Sequence, residues 1–202
     1  MPELKFLART AFLAGFLLLS ACVAPVGPVE VTRFHLPDTS RLAQGTITVE
    51  PAEGADANSL EFRTYAGAVE RELQRIGYRT SDLGDGVSEQ VAILAIQRVT
   101  LQSSRSEGPV SVGVGGSTGS YGSGIGLGLG FNLSGPPPEQ METRMSVMIR
   151  DRATGQTLWE GRARFSVKAS SPLASTDLGA AKLAEALFKD FPGASGETIL
   201  VQ

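Results

Sequence analysis

The stretch from Thr143 to Val167 constrains the fold more than any other. It reads "TRMSVMIR", then "DRATGQ", then "TLWEGRARFSV". In the first arm Met145, Val147 and Ile149 alternate with other residues. In the second, Trp159, Ala163, Phe165 and Val167 share one parity, with Gly161 among them. Side chains on a strand point alternately to opposite faces. The pattern therefore predicts two antiparallel strands, from Thr143 to Asp151 and from Thr157 to Val167, joined in a hairpin with one apolar face. The opposite faces carry Arg144, Arg150 and Arg152, then Arg162, Arg164 and Lys168. A sheet with one apolar face must bury that face under a second layer.

Two helices are predicted to form that layer. Phe62, Tyr65, Ala66, Val69, Leu73 and Ile76 recur at helical spacing, with Arg63, Glu70, Arg71, Gln74 and Arg75 opposite them. Asn58 with Glu61 three residues on resembles a capping box, and Gly77 predicts the C-terminal stop. The second helix is expected from about Asp177 to Asp190, N-capped by Thr176 or Asp177 and ended by Pro192-Gly193. Ala180, Leu183, Ala184, Leu187, Phe188 and Phe191 line its apolar side.

Further strands are expected from Val29 to Leu36, from Thr46 to Glu50, and from Val91 to Leu101. The last starts as a continuous apolar run, which suits a central strand. The closing "TILVQ" suits an edge strand. Between Val110 and Leu133, two alternating arms surround a Gly/Ser tip, with Gly124, Gly126, Gly128 and Gly130 between aliphatic residues. The expected fold is α+β: a mostly antiparallel sheet with two helices packed on one face, plus a Gly-rich hairpin, in a single domain over residues 29–202. The chain has 202 residues, 42% of them hydrophobic, enough for one such core.

Residues before that domain read differently. Lys5 and Arg9 precede the uncharged run "AFLAGFLLL", which small residues and the chain's single cysteine, Cys22, follow. A basic start, a short apolar run and a small-residue cleavage site make a secretory signal. A spanning helix needs about 20 apolar residues, and Pro25, Gly27 and Pro28 interrupt the second half of that length. Leu19-Ser20-Ala21-Cys22 resembles the lipobox of bacterial lipoproteins. The resemblance implies a signal peptide over residues 1–21, cleavage between Ala21 and Cys22, lipidation of Cys22, and residues 22–28 as a tether. No Asp stands next to Cys22. By the same resemblance that favours the outer membrane, with the domain facing the periplasm.

Several functions find no support in the residues. A net charge of −3 and a pI of about 5.3 argue against a nucleic-acid partner. One cysteine cannot form an internal disulfide, and the single histidine, His35, offers no metal set or nucleophile elbow. The glycine tract lacks both phosphate-binding spacings and no helix start follows it. No catalytic residue, metal site or cofactor is expected.

Asp151, Thr154-Gly155, Leu158-Trp159, Gly161 and Phe191-Pro192, with Leu73 and Gly77-Tyr78 before them, resemble the family known as domain of unknown function four-one-three-six. The likeness spans residues 29–193. It implies a lipid-anchored envelope protein with a Gly-rich stretch before the Trp-bearing hairpin, and no catalytic residues come with it. The family pattern has an acidic residue at the start of the central strand, where this chain has Gln90. The expected role is therefore non-enzymatic: an envelope lipoprotein held to the membrane by Cys22, with an interaction or structural role toward an envelope protein or its own copies. The candidate interaction surface is Arg144, Arg150, Arg152, Arg162, Arg164 and Lys168. The alternatives are a periplasmic small-ligand binder, or an oligomer whose Gly-rich hairpin contacts or enters the membrane.

Overall fold

The computed structural model describes residues 27–81, 88–101, 110–118, 123–131 and 138–202, with backbone only for 110–118 and 123–131. The expected signal peptide over residues 1–21, the expected cleavage and lipidation residues Ala21 and Cys22 and most of the expected tether lie outside the described residues, as does the Gly/Ser tip at 119–122. In chain order the elements are β1 (Val29–His35), β2 (Thr46–Pro51), α1 (Leu60–Ile76), β3 (Arg79–Thr80), β4 (Gln90–Leu101), β5 (Val110–Thr118), β6 (Ser123–Phe131), β7 (Gln140–Asp151), β8 (Thr157–Lys168), a 3-10 turn (Pro172–Ala174), α2 (Thr176–Phe188) and β9 (Thr198–Val201).

The domain is α+β, built on a seven-stranded sheet in the order β3-β2-β4-β7-β8-β1-β9. The hairpin that anchors the sequence argument is its middle. β7 and β8 pair antiparallel, with Met145 opposite Ala163, Val147 opposite Gly161 and Ile149 opposite Trp159. The turn works because Asp151 Oδ1 accepts from the backbone N–H and the hydroxyl of Thr154, at 2.7 and 2.6 Å, and Gly155 adopts φ +71°. A register shift after Ile149 lets both Leu158 and Trp159 be buried.

The sheet is mixed, although most of its pairings are antiparallel. β2 runs parallel to β4 and to β3. The helix between β2 and these strands carries the chain back to the start of the sheet, as a parallel pairing requires. The first two strands do not pair with each other: β1 lies between β8 and β9. The four residues of β9 form an edge.

One face of this sheet is apolar. Val31, Ile47, Val49, Ala92, Leu94, Met145, Val147, Ile149, Trp159, Ala163 and Phe165 fall on it and form one core with both helices. Helix α1 contributes Phe62, Tyr65, Ala66, Ala68, Val69 and Leu73. Its N-cap is Ser59, not Asn58: the Ser59 hydroxyl accepts from Phe62 N–H at 3.1 Å, while Asn58 N–H is taken by Asp56. Gly77 ends the helix with φ +119°, and Tyr78 N–H reaches back to Leu73 O at 3.0 Å. Helix α2 starts one residue earlier than expected, N-capped by Ser175, and its last helical residue is Phe188.

Apart from that sheet, β5 pairs antiparallel with β6 in a two-stranded ladder.

Candidate functional site

Among the described residues, no helix lies over the second face of the large sheet. Its residues lie in rows across the strands. One row runs Leu200, Glu30, Arg164, Arg144, Gln97; the next runs Thr198, Thr32, Arg162, Ser146, Ala95; a third runs Phe34, Glu160, Met148, Ile93. Among the described residues, six large hydrophobics stand well exposed, and Phe34, Val99, Leu101 and Leu200 belong to this face. A monomer with no further contacts has little reason to gather them there. The sheet's twist makes a trough of about 450 Å³, floored by Ala95, Ser146 and Thr32 and walled by Arg144, Arg162, Arg164, Gln97 and Glu30.

The structure brings Arg144, Arg162 and Arg164 together around this trough. Arg144 and Arg164 are direct cross-strand neighbours, an arrangement that repels unless neutralised. Each has a carboxylate. Arg164 Nη2 donates to both oxygens of Glu30 at 2.8 Å, and this pairing raises the pKa of its guanidinium. Arg144 pairs with Glu142, and Arg162 with Glu160 at 2.6 Å. The face is thus a mosaic of ion pairs, not a bare positive field.

The other three candidates separate from these. Arg150 lies on the same face, farther along β7, with its Nε 3.0 Å from Met148 Sδ. Lys168 is exposed at the opposite end of β8, across from Gln140. Arg152 falls past the end of β7, at a corner of the sheet. There it donates to the Ser88 carbonyl and hydroxyl and pairs with Glu50 at 2.6 Å, so it ties the turn to β4 and β2. It fastens strands together and is less available to a partner than the alternation implies.

Of the residues that carry the family resemblance, Leu73, Tyr78, Leu158 and Trp159 are buried in the core on the covered side, while Thr154-Gly155 form the exposed β7–β8 turn. Trp159 is fully buried, stacked on Phe188 with centroids 5.4 Å apart and tilted against Phe191 at 5.2 Å. Its indole N–H donates to Pro192 O at 3.0 Å, which satisfies the one polar atom of the ring. Asp151 also accepts from Arg41 through its second oxygen. The hydroxyl and backbone N–H of Thr154, with Arg41 in addition, hold the Asp151 carboxyl at about 2, well below the usual range. Tyr78, pushed up to about 12 by burial, donates to Gln90 Oε1 at 3.1 Å, and Gln90 Nε2 donates to Arg41 O at 2.8 Å. An amide can make both contacts; an ionised carboxylate at position 90 would accept the first and lack a hydrogen for the second.

One buried residue escaped the sequence argument. Arg33 is 3% exposed, and its Nε and Nη2 donate to Leu187 O and Ala186 O, both at 2.9 Å. It caps the C-terminus of α2, whose last carbonyls have no intrahelical partner. Burial lowers its pKa, while Asp190 opposes the shift. The signal was available: Arg33 has the same parity as Val29 and Val31, which face inward. His35 is also held by backbone, its ring nitrogens 2.7 Å from Leu36 O and 3.1 Å from Gly193 O.

The family model for "Domain of unknown function (DUF4136)" matches residues 31–193. The chain belongs to that family. The DUF4136 match covers the sheet from β1 through α2 and closes at Gly193, beside the Trp159 cluster. The chain is also 29% identical to the uncharacterized protein ZMO1243 of Zymomonas mobilis subsp. mobilis, across 85% of this chain and 79% of that protein. Among solved structures it is similar to a PDZ domain protein from Parabacteroides distasonis, with a TM-score of 0.46 and 11% identity. That likeness covers 87% of this chain but spans only 39% of the other. It is similar as well to a PelC dodecamer from Paraburkholderia phytofirmans, with a TM-score of 0.42 and 13% identity over 79% of this chain and 96% of that one.

Proposed function

We propose that this DUF4136 protein is a lipid-anchored envelope lipoprotein, held in the outer membrane by acyl chains on Cys22. It acts in the periplasm through contacts, without catalysis. The anchor rests on the run "FLLLSAC", which sets small residues and a cysteine directly behind an apolar segment. β1 begins at Val29, so a tether of 22–28 holds the domain within about 25 Å of the bilayer surface even when extended. The single observation that carries an interaction role is the sheet face that no described helix covers, where four exposed hydrophobics surround an Arg/Glu mosaic. A protein partner suits such a surface, since arginine and apolar groups both favour interface cores.

The trough favours a second reading, a small-ligand binder. Its volume lies in the range of ligand pockets, and Arg144, Arg162 and Arg164 would recognise an anionic group by exchanging their glutamates for it.

Fractionation tests the anchor. The wild-type protein should sediment with membranes and Cys22→Ser should not; equal membrane association of both defeats the reading. Crosslinking in native membranes tests the surface. A product that persists in the Arg144→Glu/Arg162→Glu double variant is made elsewhere.

A further inference from the structure

The β5–β6 ladder has an unusual register. Val110 stands opposite Phe131, Val112 opposite Leu129, Val114 opposite Leu127, and Gly116 opposite Ile125. The alternate pairs are Ser111 with Gly130, Gly113 with Gly128, Gly115 with Gly126, and Ser117 with Gly124. Opposed residues of an antiparallel pair share a face. One face of the ribbon is therefore aliphatic and aromatic from Val110 and Phe131 as far as Ile125, apart from Gly116, and ends in the polar pair Thr118 and Ser123; the other carries only glycine and serine.

Three further observations say what this ribbon meets. No Asp, Glu, Lys, Arg or His occurs from Gly108 to Pro138, whereas an arm that stays in water ordinarily carries charge. Each strand has nine residues, about 30 Å of extended chain, which is the length that crosses a hydrocarbon core. And the ladder is not part of the seven-stranded sheet, while a two-stranded ribbon alone in water is marginal.

We propose that the β5–β6 ribbon enters the bilayer, its aliphatic face against acyl chains and its edges paired with the same ribbon of neighbouring copies. The edges require the copies. An unpaired backbone edge in lipid leaves N–H and C=O groups without partners, and closure into a barrel removes every edge. Each copy supplies two antiparallel strands, so any ring of copies closes with an even number. The Gly/Ser face then lines the interior, where exposed backbone and hydroxyls meet water and no large side chain narrows the lumen. Among the described residues no helix is long and apolar enough to cross a membrane, which places no limit on strands. The proposal rests on the anchored reading above, which brings the ribbon to the surface it enters.

The test uses the full chain, expressed with its own leader and reconstituted in phosphatidylethanolamine–phosphatidylglycerol vesicles. Acylation leaves Cys22 no free thiol, so single cysteines can carry an environment-sensitive fluorophore: Ile125→Cys, Leu127→Cys and Leu129→Cys on one face, Gly126→Cys and Gly128→Cys on the other. Emission of the single, buried Trp159 reports that each variant keeps its core. The expected result is several-fold stronger quenching by doxyl-labelled lipids at 125, 127 and 129 than at 126 and 128, together with crosslinks between copies. Equal quenching at both sets, no quenching at either, or a monomer in the bilayer overturns the proposal. So does a blue-shifted signal at 125, 127 and 129 in the unacylated Cys22→Ser chain that vesicles leave unchanged, because the face is then packed on the protein itself. The mass of the reconstituted chain separates the two readings. Acylated protein without alternating quenching sinks the ribbon alone; alternating quenching in a chain that proves unacylated sinks the anchor alone.

Discussion

Gly161 and Trp159 lie on the same face of β8, and the indole occupies the place where a side chain at 161 would begin. A Cβ on Gly161 would stand 2.2 Å from Trp159 Cη2 and 2.7 Å from Leu187 Cδ1. Glycine here is a packing requirement. It lets the ring lie flat along the strand, stack on Phe188 and reach Pro192 O. Gly161→Ala is expected to destabilise the domain by about 1–3 kcal/mol through overpacking. Urea unfolding followed by Trp159 fluorescence measures it, and an unchanged midpoint would show that the ring has room to move.

Arg33 closes the other side of the same cluster. Replacing it with Met keeps the apolar stem and removes the donors to Ala186 O and Leu187 O. The expected cost is about 1–3 kcal/mol for each carbonyl left buried without a partner. Arg33→Lys restores the charge but not the fork, and should recover only part of the loss. Full recovery by Lys would mean that charge near the helix end, not hydrogen-bond geometry, is what matters.

The Asp151 turn predicts a dependence on acid. Its folded pKa, about 2, lies below the ordinary carboxylate value of about 4. A depressed carboxylate adds stability that is fully present above the unfolded value and is lost as pH falls through the folded one. The gap in unfolding midpoint between wild type and Asp151→Asn should therefore be constant near neutrality and narrow between about pH 4 and pH 2. A gap that does not change over that window contradicts the network with Thr154 and Arg41.

The open face should behave in the opposite way. Arg162 and Glu160 form an exposed pair, and such pairs contribute little to folding. Arg162→Ala should leave the unfolding midpoint where it is while weakening crosslinking to any partner on that face. A large loss of stability would place Arg162 in the folding architecture instead.

Local pattern and distant pattern were not equally legible in the sequence. The β7–β8 hairpin, the stripe of α1, the stop at Gly77 and the edge strand "TILV" follow from period and turn chemistry within a few residues, and the structure has them all. The parallel pairing of β2 with β4 does not, because a strand's own alternation names no partner. The N-cap differs from the expected one for a related reason: Asn58 and Ser59 are both good cap residues, and only the backbone geometry, in which the Ser59 hydroxyl accepts from Phe62 N–H, decides between them. Ion pairing on the open face was half visible. Glu142 and Glu160 stand two residues from their arginines, but Glu30 reaches Arg164 only because β1 pairs with β8 across the length of the chain. Arg33 shows the reverse: its parity marked it as buried, yet its partners are carbonyls of α2 that no side-chain pattern announces.

The mass of the N-terminal peptide of the membrane-extracted protein tests the central claim most directly. The account predicts a mature chain that begins at Cys22, with residues 1–21 removed and acyl chains on the cysteine. A chain that retains residues 1–21, or begins at an unmodified Cys22, would contradict it.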